Sequence, residues 1–350
     1  MRKGTALVVG ATGITGGNLA SYLTASGWSV YGLSRRPSDQ AGVIPVAADL
    51  LDREATAEAL AGLPITHVFY CTWVRRENEK ANVEANGAMM HNLLDALQGA
   101  SLAHVSLVTG TKQYLGAFEN YGSGKTETPF RESAPRVPGE NFYYTLEDTM
   151  FAKADRDGFS WNVHRPHTVI GYARGNAMNM GVTLAVYASI CKATGKPFTF
   201  PGSQVQWNAL TDLTDSLVLA RQMEWAATTP GAHNEAFNTV NGDVFRWRRL
   251  WHEIGEFFEL EVADCPETPL ETQMADIAPT WAEIVENNEL VEADVSKLAS
   301  WWHTDADLGR ELECVNDVTK SRDFGFDHFR ETRAAFFDLF ARLRAERIIP

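Results

Sequence analysis

Residues 7–16 read LVVGATGITG, and this stretch decides the fold. A run of β-forming residues ends at Gly10, and an amphipathic stretch follows at residues 17–23. The pattern predicts a strand, a tight glycine turn and a helix. Gly10 permits the sharp turn, Gly13 removes the Cβ that would block a pyrophosphate, and Gly16 lets the helix pack closely on the strand. Because the first N–H groups of such a helix face an anion, the stretch predicts a dinucleotide site.

The end of the second predicted strand indicates which dinucleotide binds. Residues 28–33 read as a strand, and SRRP follows at positions 34–37. NAD-binding units carry an acidic residue near this place, which accepts hydrogen bonds from the ribose hydroxyls. Here Arg35 and Arg36 stand instead, and their planar guanidinium groups suit a phosphate. The sequence therefore predicts NADPH as the cofactor.

The order of the predicted elements indicates an α/β fold. Strand and helix patterns alternate over residues 1–170, which predicts a Rossmann-type, doubly wound parallel sheet. Residues 171–350 change character, since tryptophans and short helical patterns become common. We expect a smaller, mainly helical substrate-binding region there, interleaved with late Rossmann elements such as a strand at 235–238. Further strands are predicted at 43–50, 67–71, 104–108 and 160–165, and helices at 54–60, 82–98 and 143–154.

Composition narrows the class of protein. The chain has 350 residues, 45% hydrophobic and 22% charged, with a formal net charge of −14. Nucleic acids and anionic membranes require a basic surface, so neither is expected as a partner. The four cysteines have no metal-ligand spacing; we expect reduced thiols, no metal and a cytoplasmic protein. No N-terminal signal or span of about 20 apolar residues is evident. The aromatic stripe near the C-terminus suggests core packing rather than a membrane-surface helix.

The predicted catalytic helix departs from the usual short-chain dehydrogenase pattern. Those enzymes carry a tyrosine and, four residues later, a lysine that lowers the phenol's pKa and binds the nicotinamide ribose. Here acidic residues stand four positions beyond both Tyr143 and Tyr144. Lys153 lies nine positions beyond Tyr144, and steps of about 100° put it on the opposite helix face. The segment 109–112, which ends in Lys112, follows directly on the strand at 104–108, so Lys112 is the lysine we expect beside the phenol.

Several stretches together resemble the progesterone 5β-reductase/iridoid synthase-like (PRISE) enone reductases, an atypical branch of the short-chain dehydrogenases. The motifs are TGTKQYLG at 109–116, NFYYTLED at 141–148, FPGS at 200–203 and NEAFN at 234–238. Gln113 stands where plant members usually have histidine, and Ala117 replaces a proline. The plant N-terminal extension is missing, so a bacterial-type member is expected. These departures leave the natural substrate open.

The resemblance implies NADPH-dependent reduction of a C=C bond conjugated to a carbonyl group. Hydride arriving at the β-carbon moves negative charge onto the carbonyl oxygen, and a phenol aimed at that oxygen stabilises the charge where it develops. On this interpretation Tyr144 is the hydrogen-bond donor. Lys112 supports it electrostatically and binds the nicotinamide ribose, while Tyr143 is expected to be a packing residue.

The resemblance also implies the remaining site residues. The cofactor positions are Gly10, Thr12, Gly13, Ile14 and Gly16 at the pyrophosphate, Arg35 and Arg36 at the 2′-phosphate, Asp49 and Leu50 around adenine, then Thr72, Trp73, Val169, Ala177, Met178 and Asn179. An apolar slot for the enone is expected from Trp73, Phe118, Tyr121, Met178 and Trp207.

Two other functional classes stay open at this point. One is an extended short-chain carbonyl reductase or a sugar epimerase, although Arg35 and Arg36 and the missing Tyr-x-x-x-Lys pair weigh against the epimerase. The other is a regulator that binds NADPH without turnover, which would predict that the tyrosine or the lysine is lost. The expected partner is a small enone or enal. The sequence does not fix the quaternary state, and a homodimer is one option.

Overall fold

A seven-stranded parallel sheet forms the centre of the structure, a computed structural model that describes residues 3–116, 127–173, 175–263 and 265–350. Two further pairs of two-residue strands lie outside this sheet. In chain order the strands are β1 (Thr5–Val9), β2 (Ser29–Ser34), β3 (Val43–Ala47), β4 (His67–Tyr70), β5 (His104–Val108), β6 (Ser160–Pro166), β7 (Val169–Ile170), β8 (Phe198–Thr199), β9 (Thr214–Asp215), β10 (Glu235–Thr239) and β11 (Val262–Ala263).

The helices that connect and cover the strands are listed here in chain order. They are α1 (Ile14–Ala25), α2 (Arg53–Leu60), α3 (Glu79–Ala96), α4 (Lys112–Leu115), α5 (Phe142–Asp157), α6 (Met180–Thr194), α7 (Gln204–Asn208), α8 (Ser216–Thr228), α9 (Trp247–Phe258), α10 (Leu270–Gln273), α11 (Ala278–Asn288), α12 (Trp301–Leu308), α13 (Thr319–Asp323) and α14 (Thr332–Ala345).

The strand order β10-β6-β5-β4-β1-β2-β3 confirms the predicted doubly wound fold. Both faces of the sheet are buried, as a parallel sheet requires. Along β1, Leu7 and Val9 join the core under α3 and α5, whereas Ala6 and Val8 join the core under α1 and α8. This alternation follows from the two-residue period of a strand, and it explains why β1 is apolar at every position.

The chain beyond residue 171 builds a second core rich in aromatic side chains. Phe198 and Trp251 stack with ring centroids 4.2 Å apart, and Phe336 and Phe340 of α14 are fully buried in the same cluster. Phe336, Phe340 and Leu343 of the C-terminal aromatic stripe are therefore core, as expected, whereas Phe329 is exposed. No helix in the described part of the chain is long and apolar enough to span a bilayer. The four cysteines are free thiols.

The sheet topology places the functional site. β1 pairs with β4 on one side and with β2 on the other, so the strand order reverses between β1 and β4. Ligands of such sheets bind outside the carboxyl ends of the strands at this switch point. The ends of β1, β2 and β4 open into a cleft there.

Candidate active site

The glycine turn between β1 and α1 has the geometry of a phosphate-binding loop. Gly10 has a φ of 84°, and a Cβ on Gly16 would lie 2.2 Å from the Gly10 carbonyl oxygen. Helix and turn therefore approach more closely than any side chain would permit. Gly13 precedes α1 and offers no side-chain cap to its first amides. A helix N-terminus without a side-chain cap is the arrangement that the sequence prediction of an anion site requires.

A cleft of about 950 Å³ extends from this turn along the carboxyl ends of the strands. Its volume lies at the upper end of the range of small-molecule sites. The cleft brings together many of the predicted cofactor positions: Gly10, Thr12, Gly13, Arg35, Arg36, Asp49, Leu50, Thr72 and Trp73. The exposed side chains of Arg35 and Arg36 stand where β2 ends. The donor set, two guanidinium groups and a helix N-terminus, fits a ligand with several phosphates.

Other predicted positions lie elsewhere among the described residues. Asn179 caps α6, since its side chain accepts a hydrogen bond from the Val182 amide and donates one to the Gly171 carbonyl. Trp207 packs on Phe200 with ring centroids 5.0 Å apart. The described lining of the cleft does not include Ile14, Gly16, Val169, Ala177, Met178, Asn179 or Trp207. Phe118 and Tyr121 lie outside the described residues.

The helical region contributes cleft residues that sequence reasoning missed. Lys297 and Arg342 line the same cleft as the glycine turn. The Arg342 guanidinium lies 3.6 Å from the centre of the Tyr172 ring and donates from Nε to Glu346 over 3.0 Å. No local motif marks these residues, because tertiary packing brings them to the cleft: Arg342 from α14, and Lys297 from the segment before α12.

The two adjacent tyrosines of α5 point to different surroundings. The Tyr144 hydroxyl donates to the Gln113 carbonyl and accepts from the Val137 amide, both over 3.0 Å. The Tyr143 hydroxyl lies at the carboxyl ends of β5 and β6: a Cβ on Gly110 would be 3.3 Å from that oxygen. It is thus the Tyr143 hydroxyl that lies at the carboxyl ends of the strands, where the sequence predicts the catalytic phenol. The Tyr144 hydroxyl is hydrogen-bonded to main chain instead. The catalytic role of Tyr144 stays a prediction, with Tyr143 as the geometric rival.

Lys112 is buried at the start of α4 and directed toward the start of α5. Its Nζ binds the Glu79 carboxylate and lies 4.5 Å from the centre of the Phe142 ring. Lys153 pairs with Asp95 near the other end of the helix. The structure therefore agrees that Lys153 is remote from the phenols and that Lys112 adjoins the first turn of α5. Glu79, which sequence reasoning also missed, joins the two.

Electrostatics keep both phenols protonated. Burial raises the pKa of Tyr143, and the negative charge of Glu79 raises it further. Burial also raises the pKa of Tyr144, although the Val137 amide that donates to its oxygen opposes this. A neutral phenol donates a hydrogen bond to an oxygen that gains negative charge. The site can therefore stabilise an oxyanion at neutral pH.

Comparisons with known proteins agree with this architecture. Residues 47–350 match the family described as the PRISE-like Rossmann-fold domain. The chain is 38% identical over 364 residues to an (S)-8-oxocitronellyl enol synthase from Nepeta cataria, covering 99% of this chain and 94% of that protein. It is equally 38% identical over 364 residues to a 3-oxo-Δ(4,5)-steroid 5β-reductase from Arabidopsis thaliana, with the same coverage of 99% and 94%.

Solved structures show the same fold at lower identity. A Thermus thermophilus UDP-glucose 4-epimerase in complex with NAD superposes with a TM-score of 0.68 and 16% identity, covering 97% of this chain and 99% of the epimerase. An Agrobacterium tumefaciens short-chain dehydrogenase/reductase superfamily protein with bound NAD gives 0.68 and 15%, covering 98% of each chain. At this identity the likeness concerns the fold alone.

Proposed function

The chain belongs to the PRISE-like family, and from that premise we propose that it reduces the C=C bond of an α,β-unsaturated carbonyl compound with NADPH. The observation that carries the proposal is the cleft at the carboxyl ends of the strands, where the phosphate-binding turn at Gly10 meets the arginine pair at the end of β2. Outside the described lining of this cleft, the first turn of α5, which carries both tyrosines, packs against the buried Lys112. Curated relatives named as an enol synthase and a steroid 5β-reductase support the same reaction class.

The residues of the cleft fit an NADPH molecule. The amides at the start of α1 would hold its pyrophosphate, and Arg35 and Arg36 would bind the 2′-phosphate that distinguishes it from NADH. Asp49 and Leu50 would border the adenine. When bound, NADPH supplies the hydride that adds to the β-carbon of the substrate.

The chain's own contribution to the chemistry is a fixed donor for the developing enolate. A protonated phenol at the start of α5 donates a hydrogen bond to the carbonyl oxygen as it gains charge. Lys112, buried nearby, adds a positive charge and a donor for the nicotinamide ribose. Because reduction of the C=C bond needs stabilisation of an oxyanion rather than protonation of an alkoxide, the phenol keeps its proton and solvent protonates the α-carbon.

Two phenols compete for this role, and they are separable by experiment. The sequence motif favours Tyr144, whereas the position at Gly110 favours Tyr143. The Tyr144 hydroxyl would have to leave the Gln113 carbonyl before it could serve a substrate. The Tyr143 hydroxyl already lies at the carboxyl ends of β5 and β6.

The deciding experiment follows NADPH oxidation at 340 nm with cyclohexenone and with cyclohexanone, and identifies the products by mass. Saturated ketone from the enone supports the proposal. Alcohol from either substrate indicates a carbonyl reductase, and tight NADPH binding without turnover across a panel of enones and enals indicates a regulator. The panel, extended to steroid and monoterpenoid substrates, also assigns the substrate class.

The proposed setting is the cytoplasm, with a small molecule as substrate. The net charge of −14 disfavours nucleic acid and anionic membrane as partners, and four free thiols fit a reducing compartment. Fractionation of cells that produce a tagged chain tests this; recovery with membranes at physiological salt would contradict it.

A further inference from the structure

The buried carboxylate of Glu79 connects three elements of the candidate site. Its Oε1 accepts a hydrogen bond from the Phe142 amide over 2.8 Å, and its Oε2 accepts from the Lys112 ammonium. Asn82 donates to the same Oε2 over 3.3 Å. The residue is 7% exposed, so these contacts replace the water that a carboxylate otherwise requires.

The position of Glu79 in its helix favours a negative charge. It is the first residue of α3, directly after the capping Asn78, whose side chain accepts from the Ala81 amide. The positive end of the helix dipole therefore stabilises the carboxylate. The Glu79 carboxylate at the N-terminus of α3 therefore accepts hydrogen bonds both from the Lys112 ammonium and from the first peptide N–H of α5.

We propose that Glu79 is a positioning residue of the site: it fixes the Lys112 ammonium against the first turn of α5, the turn that carries the Tyr143 phenol. This inference rests on the proposed function for its kinetic part. Among the described residues, the charge that acts on Tyr143 is that of Glu79 on α3, whose carboxylate also binds the lysine of α4, and the uncharged Gly110 lies near the phenol oxygen.

The physical reason is that only a carboxylate can serve both donors. Phe142 N–H and Lys112 Nζ each donate to a different oxygen of Glu79. A glutamine of the same shape has one acceptor oxygen, so one of its two ends would present N–H groups to another donor. The negative charge of Glu79 raises the pKa of Tyr143, so removing that charge lowers this pKa.

The experiment compares the wild type with Glu79→Gln, Glu79→Asp and a matched control, Asp95→Asn. Asp95 also lies on α3 and pairs with a lysine of α5, but far from the site. For Glu79→Gln we expect kcat for the enone to fall about tenfold at pH 7 and the alkaline limb of the rate profile to move down by about one pH unit. Glu79→Asp keeps the charge, so its limb stays near that of the wild type. We expect Asp95→Asn to change neither kcat nor the position of the alkaline limb.

A second readout needs no turnover. Tyrosine labelled with ¹³C at Cζ reports ionisation of each phenol by NMR, and Tyr143→Phe identifies the Tyr143 signal. We expect this signal to stay constant up to pH 11 in the wild type and to titrate at lower pH in Glu79→Gln. If Glu79→Gln does not fold, Lys112→Met is compared with Lys112→Met/Glu79→Gln, and the double variant must titrate at the lower pH.

The two arms separate failure of this inference from failure of the proposed function. A wild type that reduces no enone refutes the function, while the NMR comparison still decides the role of Glu79. A Tyr143 signal that titrates identically with and without the Glu79 charge, in folded protein, overturns the inference even if the enzyme is active.

Discussion

The Tyr144 hydroxyl donates to the carbonyl oxygen of Gln113 over 3.0 Å, which ties α5 to the segment that carries Lys112. The same hydroxyl accepts from the Val137 amide at the same distance. The Tyr144 hydroxyl is thus bonded to main chain, whereas the Tyr143 hydroxyl lies at the carboxyl ends of β5 and β6. Adjacent residues of one motif therefore have different surroundings.

The first prediction concerns these two tyrosines. We expect Tyr143→Phe to lower kcat for an enone about 100-fold or more, the usual effect of removing one donor to a developing oxyanion. Tyr144→Phe should mainly destabilise the fold, by about 1–3 kcal/mol, because it leaves the Gln113 carbonyl and the Val137 amide unpaired. Steady-state kinetics and chemical denaturation of both variants measure this. The reverse pattern would restore Tyr144 as the donor.

Lys112 gives the second prediction. Lys112→Ala should reduce turnover sharply, while NADPH binding, measured by its fluorescence, persists at weaker affinity. The variant also loses about 3 kcal/mol of stability, because the buried Glu79 carboxylate loses its ion pair with the ammonium. Lys153→Ala is the control, since that lysine pairs with the partly exposed Asp95. Near-full activity of Lys112→Ala would refute the role of this lysine.

The arginine pair gives the third prediction. Replacing both Arg35 and Arg36 by Ala should raise KM for NADPH at least tenfold and leave KM for NADH nearly unchanged, because a charge-assisted hydrogen bond to phosphate contributes about 1.5–3 kcal/mol. Arg53→Ala, a change of an exposed arginine outside the cleft, serves as control. Equal effects on the two cofactors would show that neither arginine binds the 2′-phosphate.

The glycine turn gives the fourth prediction. Gly16→Ala should lower the free energy of unfolding by about 1–3 kcal/mol and weaken NADPH binding, since the new Cβ would lie 2.2 Å from the Gly10 carbonyl oxygen and must push α1 away. At Gly231 a Cβ meets nothing within 4 Å, so Gly231→Ala is the matched control. Thermal melts with and without NADPH measure both effects; unchanged melting of Gly16→Ala would contradict the close packing.

Local patterns predicted the fold well. The strand expected at 104–108 is β5, and the one at 28–33 shifts by a single residue in β2. The turn at Gly10 was readable because strand, glycines and helix are neighbours in sequence. The role of Asn179 as the cap of α6 was not readable from the sequence, since a motif match cannot show which partner a side chain binds.

The sequence alone determined the Rossmann core, the arginine pair behind the NADPH prediction and the proximity of Lys112 to α5, since each depends on neighbouring residues or on the order of strands. Only the tertiary structure decided which tyrosine lies at the carboxyl ends of the strands, and that the Glu79 carboxylate binds the Lys112 ammonium. The side chains of Tyr143 and Tyr144 leave the same helix in directions about 100° apart. The rotation of that helix about its axis depends on its contacts with Glu79 of α3 and with the Val137 amide. Such contacts join residues remote in sequence, so no local pattern contains them.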